Sequence, residues 1–131
     1  MNEGKILLVE DEIDLSELYR YVLQKAGFTV LAANNGEDGL KLARDNPDAR
    51  LMLLDIMLPK MHGIDVLKRL KEDSTTQKLP ILLLSNLTEE NILQQALELG
   101  AAGYIVKVRF TPQQVVEKVK EFITPKDQPP K

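Results

Sequence analysis

Leu51-Met52-Leu53-Leu54-Asp55-Ile56-Met57-Leu58-Pro59 is an apolar run interrupted by one carboxylate and closed by a proline. Four apolar residues in succession before the acid predict a strand buried on both faces, as in a parallel sheet covered by helices on each side. Asp55 then falls where that strand emerges. In open α/β sheets the working crevice lies outside the carboxyl ends of the strands, so an acid at this place is rigidly held and still meets solvent.

Working outward, Lys5-Ile6-Leu7-Leu8-Val9 is a second apolar run, and it too ends in acids, Glu10-Asp11-Glu12. From Ile13 the spacing changes: Leu15, Leu18, Val22 and Ala26 fall three and four apart, one face of a helix that Gly27 is placed to end. Residues 28–33 read as a strand. Asn34-Asn35-Gly36 is turn chemistry, and Leu40, Leu42 and Ala43 mark a short helix stopped by Asn46-Pro47. Beyond Asp55, residues 59–63 form a loop, Ile64, Leu67 and Leu70 mark a helix to about Glu72, and residues 73–78 are a polar connector. Residues 80–85 make a third buried strand, this one ending on the hydroxyl of Ser85. A helix over 89–99 is closed by Gly100, and residues 103–107 form a short strand ending on the amine of Lys107. Thr111-Pro112 supplies an N-cap and a first-turn proline for a last helix whose apolar face is Val115, Val116, Val119 and Phe122.

Five strands thus alternate with five helices, which predicts a parallel sheet with right-handed crossovers and helices on both faces. Alternation alone leaves the strand order open. The 131 residues suit a single domain, placed at 1–123, while 124–131, with three prolines and no apolar face, are expected to form a flexible C-terminal tail. A formal charge of −3 with scattered Lys and Arg gives no basic field, so direct nucleic-acid binding is not expected. No cysteine is present, which excludes disulfides, thiolate metal sites and thiol nucleophiles. The first residues carry no signal-peptide pattern, and no apolar run approaches the roughly 20 residues of a membrane span. A cytoplasmic protein with no membrane contact is the expectation.

Four of the five strands end on groups that can do chemistry: Glu10 and Asp11, Asp55, Ser85, and Lys107. In a parallel sheet these ends share one edge. Carboxylates gathered there repel one another unless a cation sits among them, and Mg²⁺, which takes oxygen ligands from a few carboxylates, backbone carbonyls and waters, is the natural filler. A lysine and a hydroxyl alongside suit the remaining oxygens of a phosphoryl group. The chemistry that follows is phosphoryl transfer onto a carboxylate. Asp55 is the candidate acceptor, because it stands alone while Glu10 and Asp11 form a pair suited to metal. Any one of these residues alone reads first as a strand end reaching water. The set read together points to a site.

On Val9-Glu10-Asp11-Glu12, Asp55-Ile56-Met57-Leu58-Pro59-Lys60-Met61-His62-Gly63, Leu84-Ser85 and Tyr104-Ile105-Val106-Lys107, the chain resembles a response-regulator receiver domain of two-component signalling over essentially all of residues 5–123. The resemblance implies a flavodoxin-like sheet of order 2-1-3-4-5 and phosphorylation of Asp55 by a sensor histidine kinase or phosphotransfer protein. It also implies Mg²⁺ held by Asp11, Asp55 and the backbone carbonyl of Met57, with Glu10 acting through the metal's water shell. Lys107 would contact the phosphoryl oxygens, Ser85 would hydrogen-bond to them, and Tyr104 would change rotamer when Ser85 moves. A downstream protein target would read the face formed by residues 89–99, 103–107 and 112–122. Such a module is not an enzyme in the ordinary sense, since Mg²⁺-dependent self-phosphorylation and self-dephosphorylation of Asp55 are its only reactions.

Three positions depart from the family's usual pattern. Val108 stands where a proline, often cis, generally follows the lysine. A cis bond before valine would cost ~2.5–4 kcal/mol, so a trans bond is predicted. Asn86 follows the hydroxyl where a small residue is more usual, and flanks the phosphoryl position. Met57, two residues after the acceptor, places an apolar chain there that cannot orient an attacking water, so slow self-dephosphorylation is expected. His62, the only histidine, reads as surface decoration, and Lys68, Arg69 and Lys71 as a solvated helix face. Two alternatives stand beside the leading one. A receiver-like module that binds partners without taking phosphate is kept open by Val108 and Asn86. An aspartyl-phosphate phosphatase of the haloacid dehalogenase type is disfavoured, because it wants a second Asp where Met57 stands.

Overall fold

In the computed structural model, which describes residues 3–59, 61–86 and 90–123, the run around Leu53 is the central strand of a five-stranded parallel sheet. The strands are β1 (Gly4–Val9), β2 (Phe28–Ala33), β3 (Leu51–Asp55), β4 (Ile81–Ser85) and β5 (Gly103–Val106), in the order β2-β1-β3-β4-β5. Between and after them run α1 (Ile13–Lys25), α2 (Gly36–Asp45), α3 (Gly63–Glu72), α4 (Glu90–Glu98) and α5 (Pro112–Ile123). This is the flavodoxin-like arrangement expected. The tail expected at 124–131 lies outside the described residues, as does the first residue of the helix expected from Glu89.

Two apolar layers sandwich the sheet, as period-two alternation along buried strands requires. On one side Leu7, Val9, Met52, Leu54, Ile81 and Leu83 pack against α2, α3 and α4. On the other, Ile6, Leu8, Leu51, Leu53, Leu82, Leu84 and Ile105 pack against α1 and α5. Every one of these strand residues is fully buried.

The caps follow local chemistry. Thr111 Oγ1 accepts from the Gln114 amide while Gln114 Oε1 accepts from the Thr111 amide, a reciprocal pair that starts α5 where the sequence placed it. Asn35 is the N-cap of α2, its Oδ1 accepting from the Asp38 amide, so the Asn-Asn-Gly stretch opens a helix as well as making a turn. Gly27 follows α1 with φ +104°, the left-handed conformation that ends a helix cheaply only at glycine.

Four expectations need correction. On α1 the sheet-facing positions are Tyr19 and Leu23, with Leu15, Val22 and Ala26 partly covered, while Leu18 is 44% exposed. Spacings of three and four leave two neighbouring faces open, and the larger pair, Tyr19 and Leu23, takes the core. β5 ends at Val106, and Lys107 opens a single 3-10 turn (Lys107–Arg109) instead of closing the strand. Phe122 lies at the margin of the α5 face, its ring resting where a side chain on Gly103 would be. His62 is not decoration: its Nδ1 accepts from the Ile64 amide and caps α3. At the opposite end of the sheet from Asp55, Arg50 donates from Nη1 to the Glu3 carbonyl and from Nη2 to the Ile123 carbonyl.

Candidate functional site

The register sets the site. Leu54 lies level with Val9, and Asp55 level with Leu84. Alternation carries Glu10 to the side of Leu8 and Asp55 to the side of Leu53, so both carboxylates rise from the α1–α5 layer at the carboxyl edge. Lys107, on the turn that follows β5, reaches back over this edge.

Its ammonium Nζ donates to Glu10 Oε1 at 2.7 Å and to Asp55 Oδ2 at 2.9 Å, with Glu12 Oε1 at 4.0 Å. The second oxygen of each buried acid is held by the backbone: Glu12 N donates to Glu10 Oε2 at 3.1 Å and Met57 N to Asp55 Oδ1 at 3.2 Å. All three side chains of the ion-pair cluster are almost wholly removed from solvent. Burial pushes Glu10 above the ordinary carboxylate range, and the hydrogen bonds from Lys107 and the Glu12 amide offset only part of that. For Lys107 burial acts downward, but the bonds to Glu10 and Asp55 and their charges outweigh it and raise the ammonium above its usual value.

Asp11 completes the cluster from the solvent side. One carboxylate oxygen from each of Glu10, Asp11 and Asp55 lies within 4.8 Å of the others. Among the described residues, four acids, Glu10, Asp11, Glu12 and Asp55, gather here with the ammonium of Lys107, an excess of three formal negative charges. The donor set is all oxygen, Asp11 is exposed and outside the ion pairs, and the bonded oxygens of Glu10 and Asp55 each keep a second lone pair. These residues fit a hard divalent cation.

The remaining sequence candidates fall in two places. Met57, 57% exposed, and Asn86, also exposed, flank the mouth. Val108 is 76% exposed beside Lys107, and the bond between them is trans, as expected. Ser85 is buried one residue past Leu84, level with Val106 of β5. Since Tyr104 is level with Leu83, Ser85 and Tyr104 share the sheet face opposite to Asp55, on neighbouring strands. Tyr104 is 41% exposed and lines a shallow groove with Asn91, Leu93, Gln94 and Leu97. A larger groove of about 590 Å³, touched by Glu10, Ile13, Arg20, Asp38 and Lys41, runs beside the site without reaching Asp55. Sequence reasoning missed Glu12 as a neighbour of Lys107.

The profile of the response regulator receiver domain matches residues 6–120 of this chain. The chain belongs to that family. Among curated relatives, the receiver is 43% identical over 122 residues to the alkaline phosphatase synthesis transcriptional regulatory protein PhoP of Bacillus subtilis, covering 91% of this chain and 48% of PhoP. It is 38% identical over 120 residues to the transcriptional regulatory protein CpxR of Escherichia coli, covering 92% of this chain and 49% of CpxR. The receiver therefore spans about half the length of these relatives. Among solved structures, the chemotaxis response regulator CheY4 of Vibrio cholerae superposes with a TM-score of 0.83 at 28% identity, over 91% of this chain and 98% of that one. The phosphorylated cyanobacterial phytochrome response regulator RcpA gives 0.79 at 26% identity, over 92% of this chain and 93% of its own. Among the described residues no helix is long and apolar enough to cross a membrane.

Proposed function

We propose that this receiver accepts a phosphoryl group on Asp55 from a histidine kinase or phosphotransfer protein and switches protein–protein contacts in response. The observation that carries this reading is the reach of Lys107 Nζ to both Asp55 and Glu10 with Asp11 within the same 4.8 Å cluster. A buried carboxylate held by a backbone amide on one oxygen and an ammonium on the other is a fixed nucleophile. Asp11, Asp55 and the Met57 carbonyl would hold Mg²⁺, with Glu10 acting through its water shell. Bound there, the ion supplies charge neutralisation for the transferring group. Lys107 contributes the second cation, moving from the carboxylates to the incoming oxygens.

The rim supports a protein donor. Ile13, Met57 and Val108 are each more than half exposed, and each lies within two residues of Glu12, Asp55 or Lys107, so the acidic mouth is ringed by apolar surface. Ser85 and Tyr104, on the far sheet face, would relay the event to the surface of α4, β5 and α5. The exposed apolar chain of Met57 offers no group to orient water, so the acyl phosphate should persist. Replacing it by a residue that can hydrogen-bond, Met57→Asn, should shorten the phosphoryl lifetime several-fold, and a native lifetime of seconds in Mg²⁺ would contradict this. A receiver that binds partners without phosphate remains the second reading, favoured by the exposed Val108 beside Lys107.

Intact mass after incubation with acetyl phosphate and Mg²⁺ separates the two. One added phosphoryl group that disappears in Asp55→Asn supports the acceptor reading. A folded native chain that gains none supports the second.

A further inference from the structure

Methionine is the residue type through which a peroxide can act on this chain. There is no cysteine, so no thiol competes for the oxidant, and the methionines are Met1, Met52, Met57 and Met61. Met52 is fully buried in β3 and Met61 is partly covered against the layer under α2 and α3, whereas Met57 is 57% exposed. Met1 lies outside the described residues. The cause of the exposure is local: Ile56 turns into the core and Leu58 packs against it, so the residue between them is left facing water. Its backbone, by contrast, is fixed beside the acceptor. Met57 N donates to Asp55 Oδ1 at 3.2 Å, and the preceding carbonyl, that of Ile56, accepts from Gly63 N at 2.7 Å. The thioether lies only Cα, Cβ and Cγ beyond that amide, on an unbranched and adaptable chain, so it sweeps the solvent just outside the Asp55 carboxylate.

Hydrogen peroxide is neutral, so the negative charge gathered at the mouth does not repel it as it would an anionic oxidant. The sulfur lone pair bonds to one peroxide oxygen as the O–O bond breaks, and the hydroxide released takes the proton left on the transferred oxygen and departs as water. Sulfur is oxidised by two electrons and the peroxide reduced by two. The apolar thioether becomes a polar sulfoxide whose oxygen accepts hydrogen bonds. Resting on the acceptor reading of Asp55, we propose that Met57 is a redox modification site of the receiver: its sulfoxide oxygen accepts a hydrogen bond from water at the mouth and aims that water at the phosphoryl group, shortening the life of the acyl phosphate. In that hydrolysis the water oxygen bonds to phosphorus as the bond to the Asp55 carboxylate oxygen breaks. The carboxylate keeps the electron pair, and the water's proton leaves with the phosphate. A thiol-dependent methionine sulfoxide reductase reverses the change, two thiols becoming a disulfide as the sulfoxide oxygen leaves as water, and the thioether and the longer lifetime return.

Two measurements on the full chain test this. After treatment with hydrogen peroxide, peptide mass mapping should place the first added oxygen of the internal methionines on Met57, ahead of Met61 and Met52. The treated chain is then phosphorylated with acetyl phosphate and Mg²⁺, desalted, and followed by intact mass in Mg²⁺. Its phosphoryl lifetime should be roughly three- to ten-fold shorter than that of untreated chain, the size expected for one hydrogen bond, and the sulfoxide reductases for both epimers should restore it. In Met57→Leu, treated and untreated chains should share one lifetime. Met57→Gln, which puts an acceptor oxygen in the same place, should show the short lifetime without oxidant. The unfolding midpoint of the treated chain should stay at the native value. Oxygen taken by Met61 or Met52 before Met57 overturns the proposal, as does an unchanged lifetime with Met57 oxidised, a shortening that persists in Met57→Leu, or a shortening that comes with a lowered midpoint. If the untreated chain takes no phosphoryl group at all, the acceptor reading fails and the effect on lifetime goes with it, while the peptide map still decides whether Met57 is the oxidised site.

Discussion

Lys107 is the residue on which the resting site depends, because among the described residues it is the cation paired with the buried acids. Removing an acid should relieve repulsion, whereas removing the lysine strands two buried carboxylates. Asp11→Asn should therefore raise the unfolding midpoint of metal-free protein. Magnesium at about 100 times its dissociation constant should stabilise the native chain by roughly 2.7 kcal/mol, and Asp11→Asn should lose most of that gain in the same thermal scans. Glu10 supplies a pH test. Its folded pKa lies above the ordinary value of 4.5, so the stability associated with its protonated form is complete below that pH and is lost as pH rises through the folded value. Urea unfolding from pH 4.5 upward should show this decline in the native chain, and Glu10→Gln should flatten it. These acids and the lysine were legible in the sequence because a buried strand that ends on a charge announces an edge. The nearness of Glu12 was not, because an exposed acid in a run of three is ordinary until the turn after β5 is known to carry Lys107 over it.

At the level of elements, the loop between β3 and α3 carries the tightest constraint. A side chain on Gly63 would stand 2.5 Å from the Asp55 carbonyl and 2.6 Å from Ile56 Cα, backbone atoms that cannot step aside singly. Gly63→Ala should cost about 1–3 kcal/mol by chemical denaturation and weaken Mg²⁺ binding, because the Met57 carbonyl shifts with the loop. Caps give a milder test. Thr111→Ala removes half of the reciprocal pair that starts α5 and should cost about 1 kcal/mol, a value separable from the site because Mg²⁺ binding should not change. Element types were readable throughout from runs of leucine and from helical spacing. Ends were less so: β5 stops a residue early because the chain must turn to bring Lys107 over the edge, a demand set by Glu10 and Asp55 far away in sequence. The cap at His62 was hidden for the same reason, since a lone histidine in a loop has no local signature.

Across the whole molecule, the two faces of the sheet hold different parts of the candidate site. Glu10 and Asp55 rise on the α1–α5 side, while Ser85 and Tyr104 share the other face. Phosphorylation should therefore change amide hydrogen exchange in β5 and α4 more than in β2, and Ser85→Ala should suppress that change while leaving the mass gain at Asp55. Alternation of strands and helices made the α/β class legible, but nothing in periodicity orders the strands, and order 2-1-3-4-5 entered only through resemblance. Arg50 has an effect of another kind. One guanidinium ties the backbone at residue 3 to the backbone at residue 123, at the end of the sheet away from Asp55. Residues 3 and 123 are thereby held side by side, so a receiver inserted through those two residues into a surface loop of another protein should leave the host unstretched, an outcome the host's unfolding midpoint would check.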